Sequence, residues 1–148
     1  MTSHSRIVLA ALGALAGSAT PALAQPAVAT DSAVFVERIT GGATRRLEPA
    51  RTFTPGDRVV TVVSWYRMGG DGSFTITNPL PASVSYQDSA MDGQEVSVDG
   101  GRTWGQLGTL RVGARMATPE DVTHVRWRIT ATRASRGRGQ IAYSGIVR

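Results

Sequence analysis

The chain has 148 residues, a formal net charge of +5 and no cysteine. Without cysteine there is no disulfide bond, no thiolate metal site and no cysteine nucleophile. All 16 basic residues are arginine, and this positive balance suits an anionic partner such as a polysaccharide or lipopolysaccharide, or equally a soluble exported protein. We expect no nucleic-acid partner and no cofactor.

The first 24 residues have the pattern of a secretory signal peptide. Arg6 precedes an apolar run over residues 7–16, and Ala22-Leu23-Ala24 matches an A-x-A cleavage pattern. A membrane anchor would need about 20 apolar residues, which this run does not supply, and no later stretch is long enough either. We therefore expect cleavage between Ala24 and Gln25, no transmembrane segment afterwards, and a periplasmic or secreted protein.

We expect a flexible leader over residues 25–32, followed by one folded domain over residues 33–148. Residues 33–39 predict the first strand and residues 45–49 a short edge strand. The longest strand candidate is Arg58–Arg67, and both of its faces are largely apolar. It is therefore predicted to be a central strand, covered on one face by the opposing sheet and on the other by loops or a partner.

Shorter strands follow the central one. Residues 73–77 and residues 84–86 have a β pattern. Between them, the two prolines of Asn78-Pro79-Leu80-Pro81 predict an exit from the sheet, because proline has no backbone donor. Residues 87–94 are predicted to form an acidic loop.

A tight turn is predicted where residues 97–104 read Ser-Val-Asp-Gly-Gly-Arg-Thr-Trp. Asp-Gly is a leading dipeptide of hairpin turns, and the Asp99 carboxylate can accept hydrogen bonds from turn amides. The glycines adopt positive φ without strain, so we expect a hairpin whose second strand restarts after them. The residues predicted to set this turn are Ser97, Asp99, Gly100, Gly101, Thr103 and Trp104.

The last third of the chain has the clearest β pattern. Thr118 begins a single helical turn, and residues 125–131 then alternate strictly, which predicts a half-buried strand with its arginines facing water. After a turn at residues 135–139, residues 140–148 form the last strand. The chain thus predicts about seven or eight strands of the all-β class, arranged as an Ig-like antiparallel β-sandwich rather than a barrel.

Residues 97–104 also match the pattern S-x-D-x-G-x-T-W and so resemble an Asp-box, the hairpin repeated in sialidase-type propellers. A propeller needs several four-stranded blades, which a chain of this length with one copy of the motif cannot form. In the families that carry it, the box is structural and lies away from the catalytic centre. The resemblance therefore implies a hairpin with Trp104 packed against the core, and no sialidase activity.

A second resemblance covers residues 34–148. It rests on a strand led by Pro-Gly, an Asn and Leu-Pro corner, and an aromatic strand. The residues that carry it are Pro55-Gly56-Asp57, Val59, Thr61, Val63, Asn78-Pro79-Leu80-Pro81 and Tyr86. In these features the chain is similar to the Ig-like repeat family of bacterial surface proteins known as domain of unknown function eleven. The resemblance implies a secreted or envelope-associated module of the kind repeated in adhesin-like or stalk proteins.

Few residues are suited to catalysis or metal binding. After signal removal the one histidine is His124, on the arginine side of a strand, where we expect it to face solvent. A serine hydrolase would need a nucleophile beside a base, and no G-x-S-x-G elbow is present. Asp88, Asp92, Glu95 and Asp99 have oxygens suited to calcium, but there is no EF-hand loop and we expect them to cap turns. We therefore predict no enzymatic activity and no metal site.

The arginines near the end of the chain are candidates for a face that binds an anionic ligand. They are Arg126, Arg128, Arg133, Arg136 and Arg138. The alternative is a soluble strand pair whose outward charges discourage aggregation.

Three functions stay open. The first is a non-enzymatic Ig-like module with a structural or interaction role in the bacterial cell envelope, where it meets an envelope protein. The second is a binder of anionic glycan or lipopolysaccharide that uses these arginines together with Trp65, Tyr66 and Trp104 as exposed stacking surfaces. The third is a small envelope hydrolase whose site has no recognisable motif.

Overall fold

The computed structural model describes residues 27–148, and the predicted all-β antiparallel sandwich is confirmed, with ten strands instead of seven or eight. No helix in this part of the chain is long and apolar enough to cross a membrane. One turn of α-helix, α1 (Ala131–Ala134), and two 3-10 turns, Leu107–Thr109 and Pro119–Asp121, lie between strands. The strands are β1 (Val28–Thr40), β2 (Thr44–Pro49), β3 (Arg58–Arg67), β4 (Phe74–Pro79), β5 (Val84–Ser89), β6 (Glu95–Ser97), β7 (Arg111–Val112), β8 (Arg115–Met116), β9 (His124–Ile129) and β10 (Arg138–Val147).

Five strands form the larger sheet, in the order β2-β1-β3-β10-β5. β3 lies at its centre and has the predicted bounds. Val59, Thr61, Val63 and Trp65 are buried on one face of β3, and the side chains between them are partly or largely exposed on the other. The central position is therefore confirmed, with one face of β3 in the core and the other open to solvent within the described residues.

The smaller sheet has the order β4-β9-β6, and β7 and β8 form a separate pair. The alternation predicted over residues 125–131 is confirmed as far as Ile129: Val125, Trp127 and Ile129 are completely buried, and the side chains between them face away from the core. β9 ends at Ile129, two residues earlier than predicted, because Ala131 begins α1. The three buried residues of β9 share one hydrophobic core with Trp65 and Tyr143 of the larger sheet. The Trp127 and Tyr143 rings lie 5.6 Å apart and so join the two layers.

The first strand starts earlier than predicted. β1 begins at Val28, so residues 28–32, expected to belong to a flexible leader, pair with β3. This pairing provides hydrogen-bond partners for the backbone N–H and C=O groups along one side of β3, which would otherwise be an open sheet edge. The sequence did not predict this part of β1, because residues 30–32 are polar and exposed and so show no apolar pattern. The predicted signal peptide, residues 1–24, lies outside the described residues.

The last two strands lie in different sheets and therefore do not form a hairpin with each other. Between them is α1, which the sequence did not predict. The Thr130 hydroxyl caps α1 by accepting a hydrogen bond from the Arg133 backbone N–H (3.3 Å). The predicted turn at Thr118 is confirmed as the 3-10 turn Pro119–Asp121, which carries a capping box.

The larger sheet projects at β1 and β2. We name residues 35–49 the arm, in which the second half of β1 pairs with all of β2. Every residue of β2 is exposed, and its edge carries Arg45, Arg46 and Pro49, which discourage pairing with another strand. The predicted edge strand is therefore confirmed. Val36 is the one buried residue of the arm.

Candidate functional site

The predicted turn at Asp99 forms a compact hydrogen-bonded loop. Asp99 Oδ1 accepts hydrogen bonds from the backbone N–H groups of Arg102 (3.0 Å) and Thr103 (2.9 Å), and Oδ2 accepts one from the Thr103 hydroxyl (2.6 Å). The buried Ser97 hydroxyl donates to Asp99 Oδ1 (2.8 Å) and accepts from the Gly101 N–H (2.9 Å). These bonds, led by those from Thr103, hold the pKa of Asp99 well below its ordinary value. Asp99 thus caps the turn.

The chain does not continue as a full hairpin after this turn. Gly100 and Gly101 have positive φ values of 77° and 89°, a region that favours glycine. The expected second strand is reduced to a single bridge between Val96 and Gly105. A 3-10 turn at Leu107–Thr109 follows and carries the chain away from β6. The turn therefore ends a strand instead of joining two long ones.

Trp104 lies on the outer face of the smaller sheet, not in the core where the Asp-box resemblance placed it. Its indole N–H donates to the Gly101 carbonyl (2.9 Å), which folds the ring back over the turn. Arg126 covers the ring at 4.4 Å from its centroid, and His124 meets it edge-on at 6.4 Å. Trp65 is completely buried and Trp104 is half-buried. Of the three aromatics expected to stack on a ligand, Tyr66 is therefore the most exposed.

The geometry around His124 does not suit hydrolysis. Ser97 and His124 are cross-strand partners, but Ser97 is completely buried and its hydroxyl donates to Asp99. His124 Nδ1 lies 3.1 Å from the Thr123 hydroxyl. The Glu95 carboxylate pairs with Arg126 Nε (2.8 Å). No group of three or more acidic or histidine side chains within residues 27–148 is placed to hold a metal ion.

The five candidate arginines are divided over the molecule. Arg126 and Arg128 alternate with the buried residues of β9 and face outward from the smaller sheet. Arg138 faces outward from the larger sheet, on the opposite side of the sandwich. Arg133 lies on α1 and donates to a β10 carbonyl (3.2 Å), and Arg136 is exposed in the turn that follows. A single arginine face does not form, because β9 and β10 lie in different sheets.

An apolar pocket opens beside the arm, on the inner side of the larger sheet, and we name it the end pocket. Its volume is about 170 Å³, and its lining contains no charged residue. Val34 and Phe53 are each 39% exposed at its mouth, while Thr61 and Tyr143 are buried. Leu80, Pro81 and Val84 complete the opposite wall. It is a concave, largely apolar surface of the kind that suits a ligand.

The loop between β2 and β3 places Phe53 at the mouth of the end pocket. Asp57 closes this loop, because its Oδ2 accepts hydrogen bonds from the backbone N–H and the hydroxyl of Thr54 (both 3.0 Å). Asp57 Oδ1 also pairs with Arg38 of the arm (2.9 Å). The Thr54 bonds, followed by the weaker effect of Arg38, lower the pKa of Asp57. The Gly56 N–H donates to the end of β10 (2.8 Å), so the loop is tied to the sheet.

The opposite wall follows the predicted exit from the sheet. β4 runs through Pro79, which it tolerates because it is an edge strand. The Leu80 N–H then donates to the Thr123 carbonyl (2.8 Å), and the Val84 N–H to the Pro81 carbonyl (2.9 Å). Pro81 thus begins a turn that holds Leu80 and Val84 against the end pocket.

Sequence reasoning missed the end pocket. Its residues come from separate segments. Val59, Thr61, Leu80 and Pro81 belong to the pattern shared with the Ig-like surface repeats, but nothing in that pattern indicates a pocket. The available signal was Phe53, an aromatic residue in a loop of otherwise polar and turn-forming character. Such a side chain has no strand alternation to bury it, which is typical of an aromatic that fills or borders a surface recess.

Comparison of the chain with models of protein families, with curated proteins and with solved structures found no match. A functional proposal therefore depends on the geometry of the protein's own residues.

Proposed function

We propose that the protein is an exported, non-enzymatic Ig-like module with an interaction role in the bacterial cell envelope, and that it binds a partner protein through the end pocket. The observation that carries this proposal is the uncharged pocket of about 170 Å³ with Val34 and Phe53 exposed at its mouth. The signal pattern of residues 1–24 supports export. The resemblance to the Ig-like repeats of surface proteins supports a role in the envelope.

The size of the end pocket defines what it accepts. A cavity of about 150 Å³ holds a benzene molecule, so this pocket accommodates one phenylalanine- or leucine-sized side chain. Burial of such a side chain contributes roughly 2–3 kcal/mol. This free energy is typical of one anchor residue of an interface, and the surrounding contacts supply the remaining binding free energy.

Charges near the mouth favour an acidic partner segment. Arg51 lies two residues before Phe53 in the same loop. On the inner side of the arm, Arg46 is cross-strand from Arg38 and Glu48 is cross-strand from Val36, so two positive charges accompany one negative charge. Neither Arg46 nor Arg51 takes part in the ion pairs formed within residues 27–148. We therefore expect a partner segment in which a bulky apolar residue is flanked by aspartate or glutamate.

A photo-cross-linking experiment tests this proposal. Benzoylphenylalanine introduced at Phe53, in the protein expressed in its native envelope, should form one cross-linked product with another protein on illumination. Ile39 is the control position, because it is 69% exposed and, five residues along the same strand, lies on the opposite face of β1 from Val34. The captured protein is then purified for titration with the unmodified chain.

The titration uses two charge substitutions with matched chemistry. Val34→Asp should weaken binding at least tenfold, because a carboxylate at the mouth would lose hydration against an apolar ligand. Ile39→Asp should leave the affinity unchanged. Equal weakening by both variants, a cross-link to a second copy of this chain, or no product specific to position 53 would each contradict the proposal.

A further inference from the structure

A second recess lies on the outer face of the larger sheet, away from the core. Tyr66 of β3 and Arg138 of β10 are cross-strand partners, and in the next outward-facing row Ser64 pairs with Gln140. Together with Gly139 these residues line a shallow recess of about 460 Å³. Tyr66 is 46% exposed, although its neighbour in β3 is completely buried. The recess therefore presents an aromatic ring beside a guanidinium group.

The neighbouring strand β1 completes both rows. Ala29 lies beside Tyr66, and Asp31 lies beside Ser64. The small side chain of Ala29 leaves the Tyr66 ring open on that side. Asp31 adds a carboxylate that accepts hydrogen bonds, two strands and about 10 Å from the strand that carries Arg138. Arg138 and Asp31 therefore stand on opposite sides of β3, with the recess beside Arg138.

The polar groups of this recess are partly organised and partly free. Gln140 Nε2 donates to Ser64 Oγ (3.1 Å), which directs the amide across the sheet. The amide oxygen of Gln140 is then available to a ligand hydroxyl. Arg138 takes part in none of the ion pairs found between the described residues, so its charge is available to an anionic ligand.

We propose that this recess binds an acidic saccharide, one hexuronate unit of a polysaccharide chain. The apolar face of the sugar ring stacks on Tyr66, and its carboxylate pairs with Arg138. Ring hydroxyls donate to Gln140 and, on the far side of β3, to Asp31. An open recess on a sheet face suits a unit within a long chain, since neither neighbouring sugar is blocked. The site shares no residue with the end pocket, so the two proposals are independent, and a negative result for one does not contradict the other.

Titration calorimetry of the purified protein with tetragalacturonate tests this site at low salt. We expect saturable binding that weakens as salt is added, and no binding of the neutral tetrasaccharide maltotetraose. Tyr66→Ala and Arg138→Gln should each weaken binding at least tenfold. Tyr66→Phe should bind like the wild-type protein, because it keeps the ring. All substituted positions are exposed, so equal melting temperatures verify that the variants fold.

The matched control is Arg128→Gln, which removes the same charge from the outer face of the smaller sheet. It should leave the affinity unchanged. An equal loss in Arg128→Gln and Arg138→Gln would show attraction by net charge and overturn the proposal. The proposal is also overturned if tetraglutamate binds as tightly as tetragalacturonate, or if no saturable binding occurs.

Discussion

The Asp99 turn and the end pocket are built in opposite ways. In the turn, Asp99 accepts four hydrogen bonds, all from donors within residues 97–104. The end pocket instead joins Val34, Leu80 and Tyr143, which come from three distant segments of the chain. The strongest local motif of this protein therefore organises its own backbone. The surface suited to a partner is assembled from ordinary apolar residues by the pairing of distant strands.

The largest effect is expected from Gly145→Ala, which acts at the base of the end pocket. A Cβ at Gly145 would lie 2.8 Å from the Ser85 carbonyl oxygen and closer still to the Val84 side chain, so β5 would have to move away from β10. We expect the free energy of unfolding to fall by about 3 kcal/mol, as in overpacked cores. Urea denaturation measures this loss. Gly108→Ala is the control, because a Cβ there meets no atom within 4 Å, and a similar loss in both variants would contradict the argument.

The next effect is expected from Asp99→Ala, which acts on the turn alone. The substitution removes the acceptor of the Thr103 hydroxyl and of two turn amides. We expect the melting temperature to fall by about 5 °C, while partner binding at the end pocket is unchanged. Thermal unfolding followed by circular dichroism measures the shift. Arg102→Ala serves as the control, since the backbone N–H of Arg102 and not its side chain bonds to Asp99. An Asp99→Ala variant with the melting temperature of the wild-type protein would refute the role assigned to Asp99.

A smaller effect is expected in the pH dependence of the free energy of unfolding, to which the Asp99 turn and the loop of the end pocket contribute differently. The pKa values of Asp99 and Asp57 are both lowered from 3.8 in the folded protein, chiefly by hydrogen bonds from Thr103 and Thr54 respectively. A lowered pKa contributes stability that is present above the unfolded value and lost as pH falls through the folded one. The free energy of unfolding should therefore be level from about pH 7 to 5 and decline below about pH 4.

Variants measure how much of this acid dependence comes from the turn and how much from the loop of the end pocket. Asp121, whose pKa is lowered chiefly by its hydrogen bonds with Arg115, contributes equally in both variants. Asp99→Asn should flatten the decline more than Asp57→Asn, because Asp99 accepts four hydrogen bonds whereas Asp57 accepts two from Thr54 and one from Arg38. Urea denaturation at a series of pH values measures each slope. An unaltered slope in Asp99→Asn would show that other carboxylates govern acid unfolding.

The smallest effect is expected from Arg126→Ala. This substitution removes the guanidinium that lies 4.4 Å from the Trp104 ring centroid and its ion pair with Glu95. Since both partners are partly exposed, we expect a loss of about 0.5–1 kcal/mol. The Trp104 contribution to fluorescence should shift to longer wavelength as its ring is uncovered. Arg128→Ala should leave the emission spectrum unchanged, and an identical spectral change in both variants would place the Trp104 ring elsewhere.

The sequence predicted the parts of the fold that neighbouring residues decide. β3 has the predicted bounds, and the alternation in β9 correctly assigned its buried face. The start of β1 at Val28 could not be predicted, because residues 28–32 are held by backbone pairing with β3 and carry no apolar pattern. α1 escaped notice for a related reason, since four residues are too short to show helical periodicity.

For the functional surfaces, the order of amino acids was enough to predict the chemistry of individual residues, such as the acceptor role of Asp99 and the outward direction of Arg126 and Arg128. Which residues meet in space depends on the three-dimensional fold. It separated Arg138 from Arg126 and Arg128, buried Trp65, and joined Val34 to Tyr143 in one pocket. The physical reason is that turn hydrogen bonds and side-chain alternation depend on adjacent residues. Sheet order, by contrast, depends on burial and backbone pairing summed over the whole chain.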